Sequence, residues 1–189
     1  TISFSKTMKN IEDIVKKMNN LENITIDENH EEYSSENGIL FDVNQTILIK
    51  YPPQKKDIKY IVANETEIIR ENAFKNNIYL QEIVISDSVK EIGSGAFSGC
   101  SSLQKVTLSQ SLSTISSGMF KNCKSLQTIE LLNSIRSISF DAFENCTSLQ
   151  TIELPISIKE IGSGVFSGCS SLQKVTLSQT LTTVSSGMF

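Results

Sequence analysis

A chain of 189 residues with 39% hydrophobic and 20% charged side chains has the composition of one folded domain or one short repeat array. Its net charge of −4 and the lack of a Lys/Arg run argue against nucleic acid as a partner and against a basic membrane-binding patch. No stretch approaches the roughly 20 apolar residues that a membrane helix needs, and the opening residues lack the apolar core of a signal peptide, so no membrane insertion is expected within this segment.

In chain order, the first predicted elements are a helix over Ile11–Met18 and a strand carrying Ile24 and Ile26. Together with Ile14, Val15, Met18 and Leu21 these fit a degenerate copy of the unit that dominates the rest of the chain. The next strand pair, Tyr60 and Val62, comes 36 residues after Ile24 and Ile26, so an insertion lies between. Ile39-Leu40-Phe41 and Thr46–Lys50 flank Asp42–Gln45 and are closed by Pro52-Pro53, which predicts a β-hairpin protruding from the array.

From there the chain repeats. Phe74, Phe97, Phe120, Phe143, Phe166 and Phe189 recur every 23 residues, and Leu80, Leu103, Leu126, Leu149 and Leu172 follow six residues behind with the same spacing. Counting from each Phe, positions +9 and +11 are aliphatic (Ile83 and Ile85, Val106 and Leu108, Ile129 and Leu131, Ile152 and Leu154, Val175 and Leu177), an alternation that predicts a strand. Aliphatic positions +15 and +18 predict a second short extended stretch, which includes Val184 in the last unit. The small or flexible residue before each Phe, usually preceded by Gly, Asp or Asn, predicts a helical turn or short helix there. One such unit cannot bury enough apolar surface to offset the entropy of ordering its own backbone, so stability has to come from stacking.

Gly93–Phe120 recurs as Gly162–Phe189, 69 residues later, with four conservative differences, the mark of a duplicated three-repeat block. Phe189 ends the chain without a polar capping unit, so we expect a fragment of a longer array with a frayed last coil over Ser178–Phe189.

The unit I-x-x-x-A-F-x-x-C-x-x-L-x-x-I-x-L-x-x-x-[ILV], as in Ile138–Ile158 and, with Val106 for the second isoleucine, Ile92–Leu112, resembles the BspA-like leucine-rich repeat family. The inserted N-G-I-L-F…L-I-K-Y-P-P at Asn37–Pro53 also resembles a hairpin of that family. Of the family's common proline after the strand only Pro155 is kept; Ser86, Ser109, Leu132 and Ser178 stand at the equivalent positions. The resemblance implies an α/β leucine-rich-repeat solenoid, with a parallel β-sheet on one face and short helices or helical turns on the other. It also implies a cell-surface or secreted protein that binds host or cell-surface proteins. The expected divisions are 1–29 (helix and degenerate first repeat), 30–56 (inserted hairpin) and 57–189 (tandem repeats).

Residues able to carry chemistry are few. Cys100, Cys123, Cys146 and Cys169 share position +3, where Asn77 stands one unit earlier. Ligands set out along a line at the ~4.8 Å coil spacing cannot converge on one tetrahedral zinc. Disulfides between neighbours fit by distance, but side chains pointing inward in parallel are poorly aimed at each other, so free buried thiols are expected. His30, the only histidine, is expected in a solvated loop, and Glu31-Glu32 and Glu130/Glu153 on solvated faces rather than as acid–base pairs. Gly93-Ser94-Gly95 is a repeat turn and not a phosphate loop. Gln81, Gln104, Gln127, Gln150 and Gln173 predict a side-chain amide ladder, and Ser102, Ser125, Ser148 and Ser171 hydroxyls that satisfy turn backbone. Sequons at Asn23, Asn44, Asn64 and Asn145 matter if the protein is secreted by a eukaryote.

No catalytic, cofactor-binding or metal-binding set is expected. Strand alternation turns positions +8 and +10 outward, so the expected protein-binding face is Glu82 and Val84, Lys105 and Thr107, Thr128 and Glu130, Thr151 and Glu153, Lys174 and Thr176. The function expected is that of a non-enzymatic protein-binding or adhesion scaffold with a protein ligand; the alternative is an intracellular leucine-rich-repeat scaffold, which free thiols tolerate equally.

Overall fold

The computed structural model describes residues 1–177, 179–181, 185 and 187–189; the expectations placed on Ser178 and Val184 fall outside them. The chain opens with β1 (Ile2–Phe4), α1 (Ile11–Lys16) and β2 (Ile24–Ile26), followed by an antiparallel run of β3 (Tyr33–Glu36), β4 (Ile39–Asp42) and β5 (Ile47–Lys50). It then winds as a solenoid whose coils carry one strand on each of two sides. On the first side stand β6 (Lys59–Ile61), β8 (Glu82–Val84) and β10 (Lys105–Thr107). The second side carries β7 (Ile68–Ile69), β9 (Glu91–Ile92), β11 (Thr114–Ile115) and β12 (Ser137–Ile138). The array is continued by β13 (Thr151–Glu153), β14 (Glu160–Ile161) and β15 (Lys174–Thr176).

Every solenoid pairing is parallel and in the 23-residue register, as in Glu82↔Lys105 and Thr151↔Lys174 on the first side and Ser137↔Glu160 on the second. The Phe, Leu and aliphatic rows stack into one continuous core. The aromatic rings at the Phe corner form a column with centroids 4.7–5.9 Å apart and interplanar angles of 8–29°. Leu177 and Phe189 in the last coil are 47% and 68% exposed, although the Phe189 ring still stacks on Phe166.

Of the short helices or helical turns expected on the far side, the described repeats carry turns; among the described residues α1 is the one helix, and it ends at Lys16 rather than Met18. At the Phe corner, positions −2 and +2 are left-handed: Asn72 and Asn76, Gly95 and Gly99, Gly118 and Asn122, Asp141 and Asn145, Gly164 and Gly168. A left-handed residue every fourth position breaks an α-helix, and Gly, Asn and Asp tolerate that conformation best. Kinked in this way, the corner backbone makes a third inter-coil ladder, with Phe74 N–H donating to the Ala96 carbonyl at 2.8 Å and Phe97 N–H to Met119 at 3.0 Å.

The insertion does not protrude. β5 pairs parallel with β7, so β3, β4 and β5 extend the second-side sheet at its N-terminal end. Its two faces serve two cores: Ile39, Phe41 and Leu48 join the solenoid core, while Leu40 and Ile49 join a smaller cluster with Phe4, Ile11, Val15, Leu21, Ile24 and Ile26. Tyr51, 23 residues before Phe74, heads the aromatic column with its ring 4.7 Å from that of Phe74, and its hydroxyl donates to Asp57 at 2.8 Å. The sequence pattern also left out β1, which pairs parallel with β2, and β3.

Gly99 donates its N–H to the Lys121 carbonyl at φ +76, and a Cβ there would press on the Asn76 side-chain oxygen. Asn122 and Asn145 hold the same position in the next two coils, with Asn145 Nδ2 donating to Asn122 Oδ1 at 3.2 Å. Gly99→Ala is expected to lower unfolding free energy by about 1–2 kcal/mol, and Gly99→Asn by less, in denaturant melts of the same protein. An alanine variant as stable as the asparagine one would refute the left-handed requirement.

Candidate binding face

The outward residues of the first-side strands lie on one face. Lys105, Thr107, Thr128, Glu130, Thr151, Glu153, Lys174 and Thr176 are exposed, and Glu82 and Val84 are half-buried, while the residue between each pair points inward. The face begins one coil earlier than expected, at Lys59 and the 62% exposed Ile61 of β6, which pair with Glu82 and Val84. Counting 23 back from Glu82 and Val84 would have found them.

Charge is arranged unevenly along the face. Glu82 lies between Lys59 at 3.2 Å and Lys105 at 3.4 Å, and the hydrogen bond from Lys59, with help from Lys105, holds its carboxyl below the usual carboxylate range. Two coils on, Glu130 and Glu153 stand side by side, and among the described residues no cation lies within ion-pair distance of either. Like charges facing one another across a pair of strands are destabilising. The sheet thins there, since Thr128–Glu130 keeps a single bridge, Thr128↔Thr151, in place of a three-residue strand. The face sinks at this point into an open depression of about 720 Å³, walled by Thr128, Glu130, Thr151, Glu153 and Thr176, with the 65% exposed Ile156 on its rim.

The other candidate groups are structural. All four thiols are free and buried, and each donates to the carbonyl of the Phe in the preceding coil, Cys100 to Phe74 at 3.1 Å and Cys123 to Phe97 at 3.2 Å. Asn77 closes this row: its Nδ2 donates to the Pro52 and Lys55 carbonyls, and its Oδ1 accepts from Tyr79 and Leu80. His30 is not solvated but buried, with Nδ1 accepting from the Glu32 and Tyr33 amides at 3.1 and 3.2 Å. An imidazole nitrogen that accepts carries no proton, so Nε2 bears it and donates to the Met8 carbonyl at 2.9 Å. The Gln row is exposed and is joined through its backbone, as where Gln104 N–H donates to Gln81 at 2.9 Å, and not through side-chain amides. Hydroxyls that satisfy turn carbonyls come from a row other than the one expected: Ser88 to Thr66, Ser111 to Asp87 and Ser157 to Ile135, at 2.6–2.8 Å. Among the described residues no His, Cys, Asp and Glu cluster could hold a metal, and no helix is long and apolar enough to cross a membrane.

Parallel in-register coils of 23 residues, with an aromatic–cysteine corner and an exposed strand face, define a leucine-rich-repeat solenoid. Residues 67–189 match the BspA type leucine-rich repeat region in six copies, and the chain belongs to that family. No curated protein matches it. Among solved structures it is similar to a leucine-rich cell surface protein of Faecalibacterium prausnitzii, with 32% identity and a TM-score of 0.79 over 82% of this chain and 41% of that one. A leucine-rich repeat protein of Eubacterium ventriosum shares its fold at 23% identity and a TM-score of 0.74, over 90% and 52%. The leucine-rich repeat protein of T. pallidum matches at 30% and 0.66, over 72% and 66%. The chain thus spans about half or less of the length of the first two.

Burial pushes the Cys100 thiol up to about 12 and Cys169 to about 11, and raises Cys123 and Cys146 as well. The thiols are therefore expected to react slowly with a thiol reagent in the native state, and all four to titrate after denaturation without reductant; fewer than four would mean disulfides. Unfolded thiols ionise near ~8.5, so the stability these groups confer is complete below that pH and is lost as pH rises toward about 11. Lys50, lowered to about 8 by burial, opposes this loss with one proton against four. Melts across pH 7–11 should show a net fall in stability above ~9.

Proposed function

We propose that the protein is a non-enzymatic protein-binding or adhesion scaffold of a cell surface or of the extracellular space, with the first-side sheet face as its recognition surface. In this reading residues 57–189 form the presenting array, and 1–29 and 30–56 close its N-terminal end. The observation that carries it is the pair Glu130 and Glu153: two exposed, unpaired like charges beside a depression on a rigid face. Two acidic groups without a cation of their own would draw a cationic partner residue. A partner that inserts Lys or Arg between the two carboxylates and rests apolar side chains on Ile156, or on Ile61 and Val84, fits this chemistry. The similarity to a leucine-rich cell surface protein supports the location.

Antibody labelling of intact, unpermeabilised cells tests the location. For the face, a panel of extracellular host proteins is screened with the wild-type chain, and the protein it captures is retested with E130K/E153K. Thermal stability should change by no more than about 0.5 kcal/mol, while affinity falls tenfold or more and loses its salt dependence. Deleting Ile39–Lys50 is no fair control, because β5 and the neighbouring Tyr51 build the core; V43E on the exposed turn between β4 and β5 is. Binding that survives E130K/E153K and is lost in V43E would move recognition to the N-terminal insertion.

A further inference from the structure

Lys50 is a buried cation without a buried anion. It is 6% exposed, its ammonium donates to the Asn72 carbonyl at 3.3 Å, and among the described residues no carboxylate lies within ion-pair distance of it. Removing an ammonium from water without a counter-charge is unfavourable, and a methionine of similar length would fill the same space without that penalty. Lys50 lines a cavity of about 330 Å³ between α1, β5 and the corner turn of the first regular coil.

The lining is cationic in a chain that is anionic overall. Lys16 comes from the end of α1 and Lys17 from the residue after it, Lys50 from β5, and Arg70 and Lys75 from the turn, against two carboxylates, Glu12 and Glu71, of which Glu71 is paired with Lys16 at 3.5 Å. Asn19, Asn72 and Asn76 add amides, while Val15 and Ile49 supply apolar surface. Five cations, three amides and an apolar patch around a few hundred Å³ suit a ligand with one anionic group, several hydroxyls and a hydrocarbon face.

We propose that this cavity is a binding site for a sugar-sized anion, a monosaccharide bearing a carboxylate or a phosphate, whose oxyanion takes the Lys50 ammonium as its buried partner. Arg70 and Lys75 meet the same group from the turn, and the asparagine amides bond the hydroxyls. The site lies on the second side of the solenoid, apart from the sheet face, and is independent of it.

The anion would favour charged Lys50. Burial, and then Lys75, lower its pKa to about 8; the other charged groups lining the cavity are Glu12 and Lys16 on α1, Lys17 just after it, and Arg70 and Glu71 on the turn, and the Cys100 thiol, which also acts on Lys50, is raised to about 12. Ligand binding should therefore raise the Lys50 titration midpoint, and affinity should fall as pH rises through about 8.

The test is a pH titration of Lys50 by NMR in ¹³C-lysine-labelled full chain, alone and with glucuronate, glucose 6-phosphate, glucose or inorganic phosphate. An upward shift of a pH unit or more with glucuronate or glucose 6-phosphate, and none with glucose, supports the site, and the tighter of the two names the anionic group. Inorganic phosphate binding as tightly as glucose 6-phosphate would overturn a sugar-sized ligand, and no shift with any anion would overturn the site. K50M should weaken binding tenfold or more. If K50M does not fold, the exposed pair R70Q/K75Q serves instead, and unchanged affinity there refutes the proposal.

Discussion

Each coil lies directly on the one before it, and the other features of the molecule follow from that register. Parallel pairing on two sides, together with the third ladder at the Phe corner, allows no slip between coils, because a slip of one residue would unseat all three at once. A residue at a given position therefore touches its own equivalents above and below. Rings stack on rings, and each thiol meets the carbonyl of the previous coil's Phe. A side chain that suits one rung suits the next, which is why duplicating a three-repeat block leaves the structure consistent.

This self-contact explains what the sequence made legible. Phe, Leu and the +9 and +11 aliphatics recur because packing against their own kind restricts them, and the spacing alone revealed the strands and the sense of their side chains. The corner stayed open between a short helix and a turn because Gly, Asn and Asp before a small residue fit both a helix start and a left-handed turn. Only their recurrence at both −2 and +2 distinguishes the two, since a helix tolerates one such residue at its end and not another four positions on. Tyr51 escaped notice because it keeps the 23-residue spacing to Phe74 with another ring type, and β5 reaches β7 in a register two residues shorter. His30 looked solvated from its Glu- and Asn-rich neighbours; it is held by the Met8 carbonyl, 22 residues away, a partner that no local pattern reports.

The outward face was legible as geometry and not as recognition. Alternation says which residues point out, and exposure agrees with it, but nothing in packing restricts their identity. What distinguishes one stretch of the face is electrostatic and pairwise: Glu82 satisfied between two lysines, Glu130 and Glu153 at equivalent positions of neighbouring coils over a thinned sheet, with no cation at ion-pair distance among the described residues. Those relations exist only once the coils are in register.

An in-register stack also poses a problem at its end, since the first regular coil presents a ring, a carbonyl row and a strand edge with nothing before them. The N-terminal segment answers each with a different chemistry. Tyr51 covers the ring of Phe74, β5 pairs with the edge of β7, and Asn77 replaces a thiol with an amide that can reach the Pro52 and Lys55 carbonyls. These replacements need not obey the repeat, because they have a neighbour of their own kind on one side only. Freedom from the repeat is what allows Lys50 to sit where a periodic residue would be apolar, and it places a charged cavity beside the first coil of the array, where the sequence departs from its own rule.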